Sequence, residues 1–176
     1  AGKFELQEDR VPLDAIIEAT FRFVRDRADT KLIALQCKLH AAPYLWCDRR
    51  VFTQVMLNIV GNAIKFTPER GRITIESSLD AEDNLVLTVT DTGVGIAQED
   101  IPIVMKPFGQ ARASSHIATA EAGTGLGLPL SKSFIEKHGG TMSITSEPGI
   151  GTRVIIIIPA TRVIADNEAD CVSASL

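Results

Sequence analysis

Residues 56–66 read MLNIVGNAIKF, a stretch apolar enough for a core helix. Three polar side chains interrupt it, those of Asn58, Asn62 and Lys65. In a helix of roughly 100° per residue, these three and Gln54 fall within about 80° of one another. Apolar residues spread over the other side, namely Met56, Ile59, Val60, Ala63 and Ile64. The stretch therefore predicts an apolar helix with one narrow polar stripe.

Two interpretations of this stripe remain open on periodicity alone. A stripe that faces solvent is the commoner case for a helix taken at random. A solvated face, however, usually carries Glu, Lys and Arg, whereas paired asparagines are poor helix formers. A carboxamide oxygen is a neutral ligand suited to Mg²⁺, and a lysine one turn later supplies charge for phosphates.

The composition is that of a soluble globular domain. The chain has 176 residues, 45% of them hydrophobic and 23% charged, with a net charge of −4. This argues against nucleic acid as the main partner. Cys37, Cys47 and Cys171 lack CxxC spacing, which indicates reduced thiols in a cytosolic setting. Because there is neither a long apolar run nor a signal-peptide pattern, we expect a cytoplasmic domain without direct membrane contact. A parent protein anchored in the inner membrane remains open.

Periodicity and capping signals predict the elements of the first half of the chain. Residues 1–10 are polar and predicted to be a linker. The elements that follow are a helix from Val11 with Pro12 in its first turn, a strand over 31–38, a short extended piece over 44–46, a helix from the N-cap Asp48 to about Ile64, and strands over 73–79 and 85–90 joined by a hairpin.

The second half begins with a loop-rich region over 91–124. The predicted elements are a short helix near 98–105, a helix over 126–137 ended by Gly139-Gly140, a hairpin of strands over 141–146 and 152–158, and a flexible tail over 160–176. Two long helices, a third shorter one and five or six strands predict a single sheet covered by helices on one face.

Two glycine-containing motifs stand at element boundaries. Asp91-Thr92-Gly93-Val94-Gly95-Ile96 directly follows a strand, where glycines allow a ligand to approach the backbone, although Asp and Gly also dominate plain turns. Gly123-Thr124-Gly125-Leu126-Gly127-Leu128 opens a helix, whose exposed amides favour anions unless the segment is only a hinge. No GxxxxGK[ST] or GxGxxG pattern occurs, so neither a P-loop nor a Rossmann site is supported.

Taken in order, these motifs resemble the ATP-binding catalytic domain of sensor histidine kinases, in the superfamily with gyrase, Hsp90 and MutL. The resemblance covers about residues 11–159. It rests on an N box over 58–65, a first glycine box over 91–95, an F box over 107–110, a second glycine box over 123–128 and a closing hairpin over 149–152. It implies an α+β, two-layer sandwich of the Bergerat type. Three helices would cover one face of a mixed sheet of about five strands, with a mobile ATP lid over about 98–122.

The resemblance also implies roles for individual residues. Asn62 would coordinate the Mg²⁺ that bridges the ATP phosphates, with Asn58 beside it and Lys65 on the phosphates. Asp91 would accept a hydrogen bond from the adenine amine, and Thr152 would join the water network beside it. The full set implied to bind ATP is Asn58, Asn62, Lys65, Phe66, Asp91, Gly93, Gly95, Ile96, Phe108, Gly123, Thr124, Gly125, Leu126, Gly127, Leu128 and Thr152.

Asn58 separates subclasses of this superfamily. ATP-hydrolysing relatives carry a glutamate there as general base, and an amide cannot take a proton. The resemblance therefore implies transfer of phosphate to a histidine on a separate dimerisation domain, then to a response regulator receiver domain, within a homodimeric full-length protein. His40, His116 and His138 lack the sequence context of an acceptor. The alternatives are a pseudokinase that acts by conformation or partner binding, and an ATPase or serine kinase of the same superfamily.

Overall fold

The computed structural model describes residues 5–110 and 124–164. The helices are α1 (Leu13–Thr30), α2 (Arg49–Phe66), α3 (Ile101–Val104) and α4 (Gly127–Lys137). The strands are β1 (Asp9–Pro12), β2 (Ala34–Leu39), β3 (Tyr44–Cys47), β4 (Arg72–Leu79), β5 (Leu85–Asp91), β6 (Thr141–Glu147), β7 (Gly151–Ile158) and β8 (Val163–Ile164). A short 3-10 helix, Ala160–Arg162, precedes β8.

The main sheet has five strands in the order β2-β4-β5-β7-β6. The β2–β4 pair is parallel and the other pairs are antiparallel, so the sheet is mixed. Ile75, Val89 and Val154 lie opposite one another in successive strands and share one face. This face packs against α1, α2 and α4 around one hydrophobic core, with α2 in the middle. The predicted two-layer α+β fold is confirmed.

Local chemistry sets both ends of α2. The buried Asp48 carboxylate accepts hydrogen bonds from the amides of Arg50 and Val51, as its predicted role of N-cap requires. At the other end, Pro68 disfavours a helical conformation at the preceding residue. Thr67 accordingly has φ −86° and ψ 129°, and the helix ends at Phe66, two residues beyond the prediction.

A second, three-stranded sheet joins both ends of the described chain in the order β1-β3-β8. Asp9 and Arg10, predicted to be linker, pair with Cys47 and Trp46, so the folded part begins earlier. The segment from 160 to 164, predicted to be tail, instead forms the 3-10 helix and β8. Arg162 binds the Glu8 carboxylate and the Trp46 carbonyl across this sheet.

Other boundaries differ from prediction by a few residues. Strand β2 begins at Ala34 because Lys31 and Leu32, the latter with φ 53°, form the turn that ends α1. Pro12 precedes α1 as its N-cap, and α3 is shorter than the predicted helix over 98–105. Residues 111–122 of the expected lid, the tail after 164, and the residues Gly123, His116 and Cys171 lie outside the described residues.

Candidate functional site

The polar stripe of α2 faces the start of α4. The Asn58 Nδ2 atom donates to the Gly127 carbonyl at 3.4 Å and to the Ser131 hydroxyl at 3.3 Å. Its Oδ1 atom accepts from Gln54 at 2.9 Å. Gln54 is exposed, but Asn58 is half-buried, so the solvent-facing interpretation fails for the part of the stripe nearest α4.

The next two residues of the stripe, Asn62 and Lys65, differ from Asn58 in their contacts. Within the described parts of the chain, Asn62 and Lys65 make no side-chain hydrogen bond, and both are half-buried. A Cβ atom placed on Gly127 would lie 3.9 Å from Asn62 Nδ2, so Asn62 borders the glycine turn before α4. The Lys65 ammonium lies 5.0 Å from the centroid of the Phe66 ring. An amide, an ammonium and an aromatic ring therefore line the last two turns of α2.

Asp91 is the last residue of β5 and is buried. It continues the alternation of Leu85, Leu87 and Val89, so its side chain points towards the helix layer. One carboxylate oxygen, Oδ1, accepts from the amides of Gly93 at 2.8 Å and Thr152 at 3.2 Å. Burial raises the pKa of this carboxyl, and the two hydrogen bonds oppose that rise.

The glycines after β5 are required by close packing. A Cβ atom on Gly93 would lie 2.6 Å from Asp91 Oδ1 and 2.7 Å from the Phe66 carbonyl oxygen. Gly95 has φ 70°, and a Cβ atom there would lie 2.0 Å from the carbonyl oxygen of Glu147 in the β6–β7 hairpin. The first glycine motif therefore touches both the end of α2 and the closing hairpin.

Ser146, which is not among the predicted site residues, connects the glycine loop after β5 to the β6–β7 hairpin. Its hydroxyl accepts from the Ile96 amide at 2.7 Å, donates to the Gly151 carbonyl at 2.8 Å and contacts the Thr152 hydroxyl at 2.9 Å. Ser146 thus connects two residues of the implied ATP set, Ile96 and Thr152. Its only sequence signal is its place opposite Thr152 in the predicted hairpin.

The F box contacts the second glycine box. The Phe108 amide donates to the Gly125 carbonyl at 3.0 Å, and a Cβ atom on Gly125, which has φ 68°, would lie 2.8 Å from the Phe108 carbonyl carbon. The Phe108 side chain itself is 74% exposed. Thr124 and Leu126 are also exposed, whereas Leu128 packs against the hydrophobic core.

The described residues contain no cluster of three or more His, Cys, Asp or Glu side chains that could hold a metal ion. An amide oxygen combined with ligand and water oxygens is a donor set that suits Mg²⁺. Asn62 lies beside the glycine turn, its amide has no hydrogen-bond partner among the described residues, and it could supply such an oxygen. A separate cleft over residues 7–12 and 48–50 lies at the opposite end of α2.

His138 has a structural role. It is buried, its Nδ1 atom donates to the Phe134 carbonyl at 2.7 Å, and its Nε2 atom accepts from the Asp48 amide at 3.2 Å. His40 is exposed. Neither histidine lies with the residues of the stripe.

A family model described as histidine kinase-, DNA gyrase B- and HSP90-like ATPase matches residues 47–162. The chain belongs to this ATPase family. The matched range contains the stripe of α2, both glycine motifs and the closing hairpin, the features on which the sequence resemblance rests.

Two curated relatives of this ATPase-family chain are proteins several times longer. The non-motile and phage-resistance protein of Caulobacter vibrioides is 39% identical over 162 residues, which are 90% of this chain and 19% of that protein. The cell-division control histidine kinase PdhS of Brucella abortus is 32% identical over 173 residues, which are 94% of this chain and 17% of PdhS. The chain thus spans less than a fifth of the length of either relative.

Solved structures match the fold of the domain. Full-length ShkA in complex with AMPPNP superposes with a TM-score of 0.79 at 25% identity, over 94% of this chain and 33% of ShkA. The catalytic domain of the histidine kinase ThkA, in a nucleotide-free form, gives a TM-score of 0.73 at 26% identity, over 89% of this chain and 97% of that domain. The fold is therefore that of histidine kinase catalytic domains.

Two further residues of this ATPase-family site have no sequence signal of their own. Ser131 is fully buried and holds Asn58, and Lys31 binds the carbonyl groups at the end of α2. Each contacts a residue more than 30 positions away in the sequence, so periodicity could not predict either contact. In the described part of the chain, no helix is both long and apolar enough to cross a membrane.

Proposed function

We propose that this domain binds Mg·ATP and transfers the γ-phosphate to a histidine on a separate dimerisation domain, for relay to a response regulator receiver domain. The proposal rests mainly on the hydrogen bonding of the Asp91 carboxylate. Its Oδ1 atom is held by the amides of Gly93 and Thr152, while no group of the described residues donates to Oδ2. A buried oxygen fixed in this way can accept from the exocyclic amine of adenine and reject the carbonyl that guanine presents.

The phosphates would lie against α2. Asn62 would ligate Mg²⁺ through its amide oxygen, with Asn58 beside it, and Lys65 would contact the phosphates. Phe66 would flank the nucleotide. Bound Mg²⁺ would neutralise phosphate charge, and the chain itself would contribute position and electrostatics. The glycine turn over 124–127 brings backbone amides to the start of α4, where the helix dipole favours anions.

Asn58 favours phosphate transfer over hydrolysis. Both hydrogens of its amide are directed at α4, and an amide cannot serve as a general base for water. The nucleophile would then come from another domain. The AMPPNP bound to ShkA and the name of PdhS as a histidine kinase support this proposal for the shared fold.

Two rival functions make different predictions. A pseudokinase would bind nucleotide and never transfer phosphate, whereas an ATPase would release phosphate continuously without an acceptor. We further propose that the full-length protein is a homodimer, that this domain works in the cytoplasm whether or not its parent is anchored in the inner membrane, and that it binds no nucleic acid.

The decisive experiment has two stages. Isothermal titration calorimetry with ATP and Mg²⁺ should give a saturable signal, and Asp91→Ala should remove it while circular dichroism shows an unchanged fold. Radiolabelled ATP is then supplied with a phosphoacceptor helical hairpin. Label on the acceptor histidine, with little free phosphate when the acceptor is omitted, supports the kinase. A flat titration with wild-type domain would overturn the proposal.

A further inference from the structure

Every carbonyl group at the end of α2 has a partner. Helices leave their last four carbonyls without intrahelical partners, and here those belong to residues 63–66. The Ala63 carbonyl accepts from the Thr67 amide and the Phe66 carbonyl from the Val94 amide. The Lys31 ammonium binds the carbonyls of residues 64, 65 and 67 at 2.8, 3.0 and 2.9 Å. One lysine from the turn that ends α1 therefore binds two of these four carbonyls and also the carbonyl of Thr67.

Lys31 also anchors the loop that follows. Its own carbonyl accepts from the Arg70 amide at 3.0 Å, and its amide donates to the Ala28 carbonyl at the end of α1. The same residue thus closes α1, closes α2 and ties the loop 67–71 to both. An ammonium suits this place, since it carries three donors for three carbonyls and a positive charge for the negative end of the helix dipole.

The terminus that Lys31 closes carries part of the candidate site. Lys65 and Phe66 project from the last turn of α2, and the Phe66 carbonyl holds Val94 in the glycine loop that follows Asp91. Gly93 packs against the same carbonyl. A shift of this turn would therefore move the phosphate-facing side chains and the adenine-facing loop together.

We propose that Lys31 is a positioning residue for the nucleotide site, which holds the last turn of α2 and, through Phe66, the loop after Asp91. This rests on the proposed nucleotide function. Lys31 does not contact nucleotide in this proposal, since its three ammonium hydrogens are engaged by protein carbonyls.

The test compares Lys31→Met with a control at the far end of α2. Phe52→Leu removes core packing beside His138, in the first turn of the same helix, and lowers stability without touching the terminus. Dissociation constants for Mg·ATP are measured by calorimetry at a temperature where circular dichroism shows all variants folded. We expect Lys31→Met to raise Kd about tenfold and Phe52→Leu to leave it within about twofold.

A second measurement needs no nucleotide. Amide hydrogen exchange at Val94 and Thr67, followed by NMR, should accelerate in Lys31→Met and not in Phe52→Leu. If Lys31→Met does not fold, Lys31→Gln, which is one atom shorter and uncharged, replaces it in both measurements. Wild-type Kd and exchange rates in the folded Lys31 variant would overturn this inference alone. A wild-type domain that binds no Mg·ATP would overturn the proposed function and this inference with it.

Discussion

Asn58 and Ser131 lie 73 residues apart in the sequence, and the Asn58 Nδ2 atom lies 3.3 Å from the Ser131 hydroxyl oxygen. Because the second amide hydrogen is directed at the Gly127 carbonyl, the orientation of the amide is determined. The amide nitrogen faces α4, and the amide oxygen accepts from Gln54 on the preceding turn of α2. The contact therefore connects the two helices that border the candidate phosphate site.

Ser131→Ala tests this connection. The variant removes the acceptor of a half-buried amide hydrogen, so the free energy of unfolding should fall by about 0.5–1.5 kcal/mol. Ser133→Ala is the matched control, because Ser133 is exposed on the same helix and should change stability by less than about 0.5 kcal/mol. Urea unfolding followed by circular dichroism measures both. Equal stability of the two variants would contradict the role of Ser131.

Gly93→Ala tests the close packing after β5. A methyl group there would lie 2.6 Å from Asp91 Oδ1 and 2.7 Å from the Phe66 carbonyl, so the backbone must move. We expect a loss of about 1–3 kcal/mol in unfolding free energy and loss of Mg·ATP binding.

Gly61→Ala is the counterpart within α2. Among the described residues, no atom outside the neighbouring backbone of α2 and the two adjacent residues lies within 4 Å of a Cβ placed on Gly61, and alanine is the better helix former. Stability should rise by roughly 0.5–1 kcal/mol, with Mg·ATP affinity unchanged. A destabilised Gly61→Ala, or a Gly93→Ala that behaves as wild type, would contradict the packing described for these two positions.

Asp91→Asn should separate stability from binding. Burial raises the pKa of this carboxyl, so its stabilising effect is present at low pH and lost as pH rises through the folded-state pKa. The neutral amide avoids the cost of burying a charged carboxylate, while its oxygen still accepts from the amides of Gly93 and Thr152. Its NH₂ group then faces the adenine amine, donor against donor. We expect unfolding free energy at pH 7 equal to or above wild type, and Kd for ATP raised at least about tenfold.

The measurements for Asp91→Asn are thermal unfolding and calorimetry on the same preparation. Asp80→Asn is the control carboxylate, because Asp80 lies in the β4–β5 turn and, among the described residues, its carboxylate accepts hydrogen bonds from Glu82 and Asn84 alone. Its variant should bind ATP as wild type does. Unimpaired ATP binding by Asp91→Asn would show that the adenine assignment is wrong.

Asn62→Ala should reduce the increase in ATP affinity that Mg²⁺ provides. The gain in ATP affinity on replacing EDTA with Mg²⁺ should shrink in this variant, because the amide oxygen next to the glycine turn is lost. Binding of metal-free ATP should change little. Calorimetry in both buffers measures the ratio, and Gly61→Ala again serves as the control on the same helix. An unchanged ratio in Asn62→Ala would remove this residue from the metal site.

His138 should make stability depend on pH. Burial is the largest cause that lowers its pKa below the ordinary 6.5, and the Arg162 charge acts in the same direction. Its Nε2 atom accepts from the Asp48 amide and must therefore stay unprotonated. The folded state then binds fewer protons than the unfolded state. The contribution of His138 to the free energy of unfolding is therefore fully present above pH 6.5. It is lost as pH falls towards the lower folded-state pKa, by at most about 1.4 kcal/mol per pH unit.

Urea unfolding between pH 5 and pH 8 measures this dependence. His138→Gln should flatten it below pH 6.5, whereas His40→Gln, a change at an exposed histidine, should leave it as in wild type. A His138→Gln curve parallel to that of wild type would show that another group titrates.

Several features of the site could be predicted because they depend on local periodicity. The stripe of Asn58, Asn62 and Lys65 follows from the helical repeat, and the bounds of α2 follow from Asp48 and Pro68, each acting within one turn. Asp91 points towards the helix layer because it continues a two-residue alternation. These effects extend over a few residues and can be read from the chain directly.

The partners of those residues were decided only by the tertiary structure. No periodicity brings Ser131 to Asn58, Lys31 to the end of α2 or Ser146 to Thr152, because each contact depends on how distant elements pack. The segments at residues 9–10 and 160–164 look like linker and tail in sequence, since each is too short to show a pattern. Residues 9–10 and 163–164 become strands because β3 offers both of its edges for pairing, whereas residues 160–162 form the 3-10 helix.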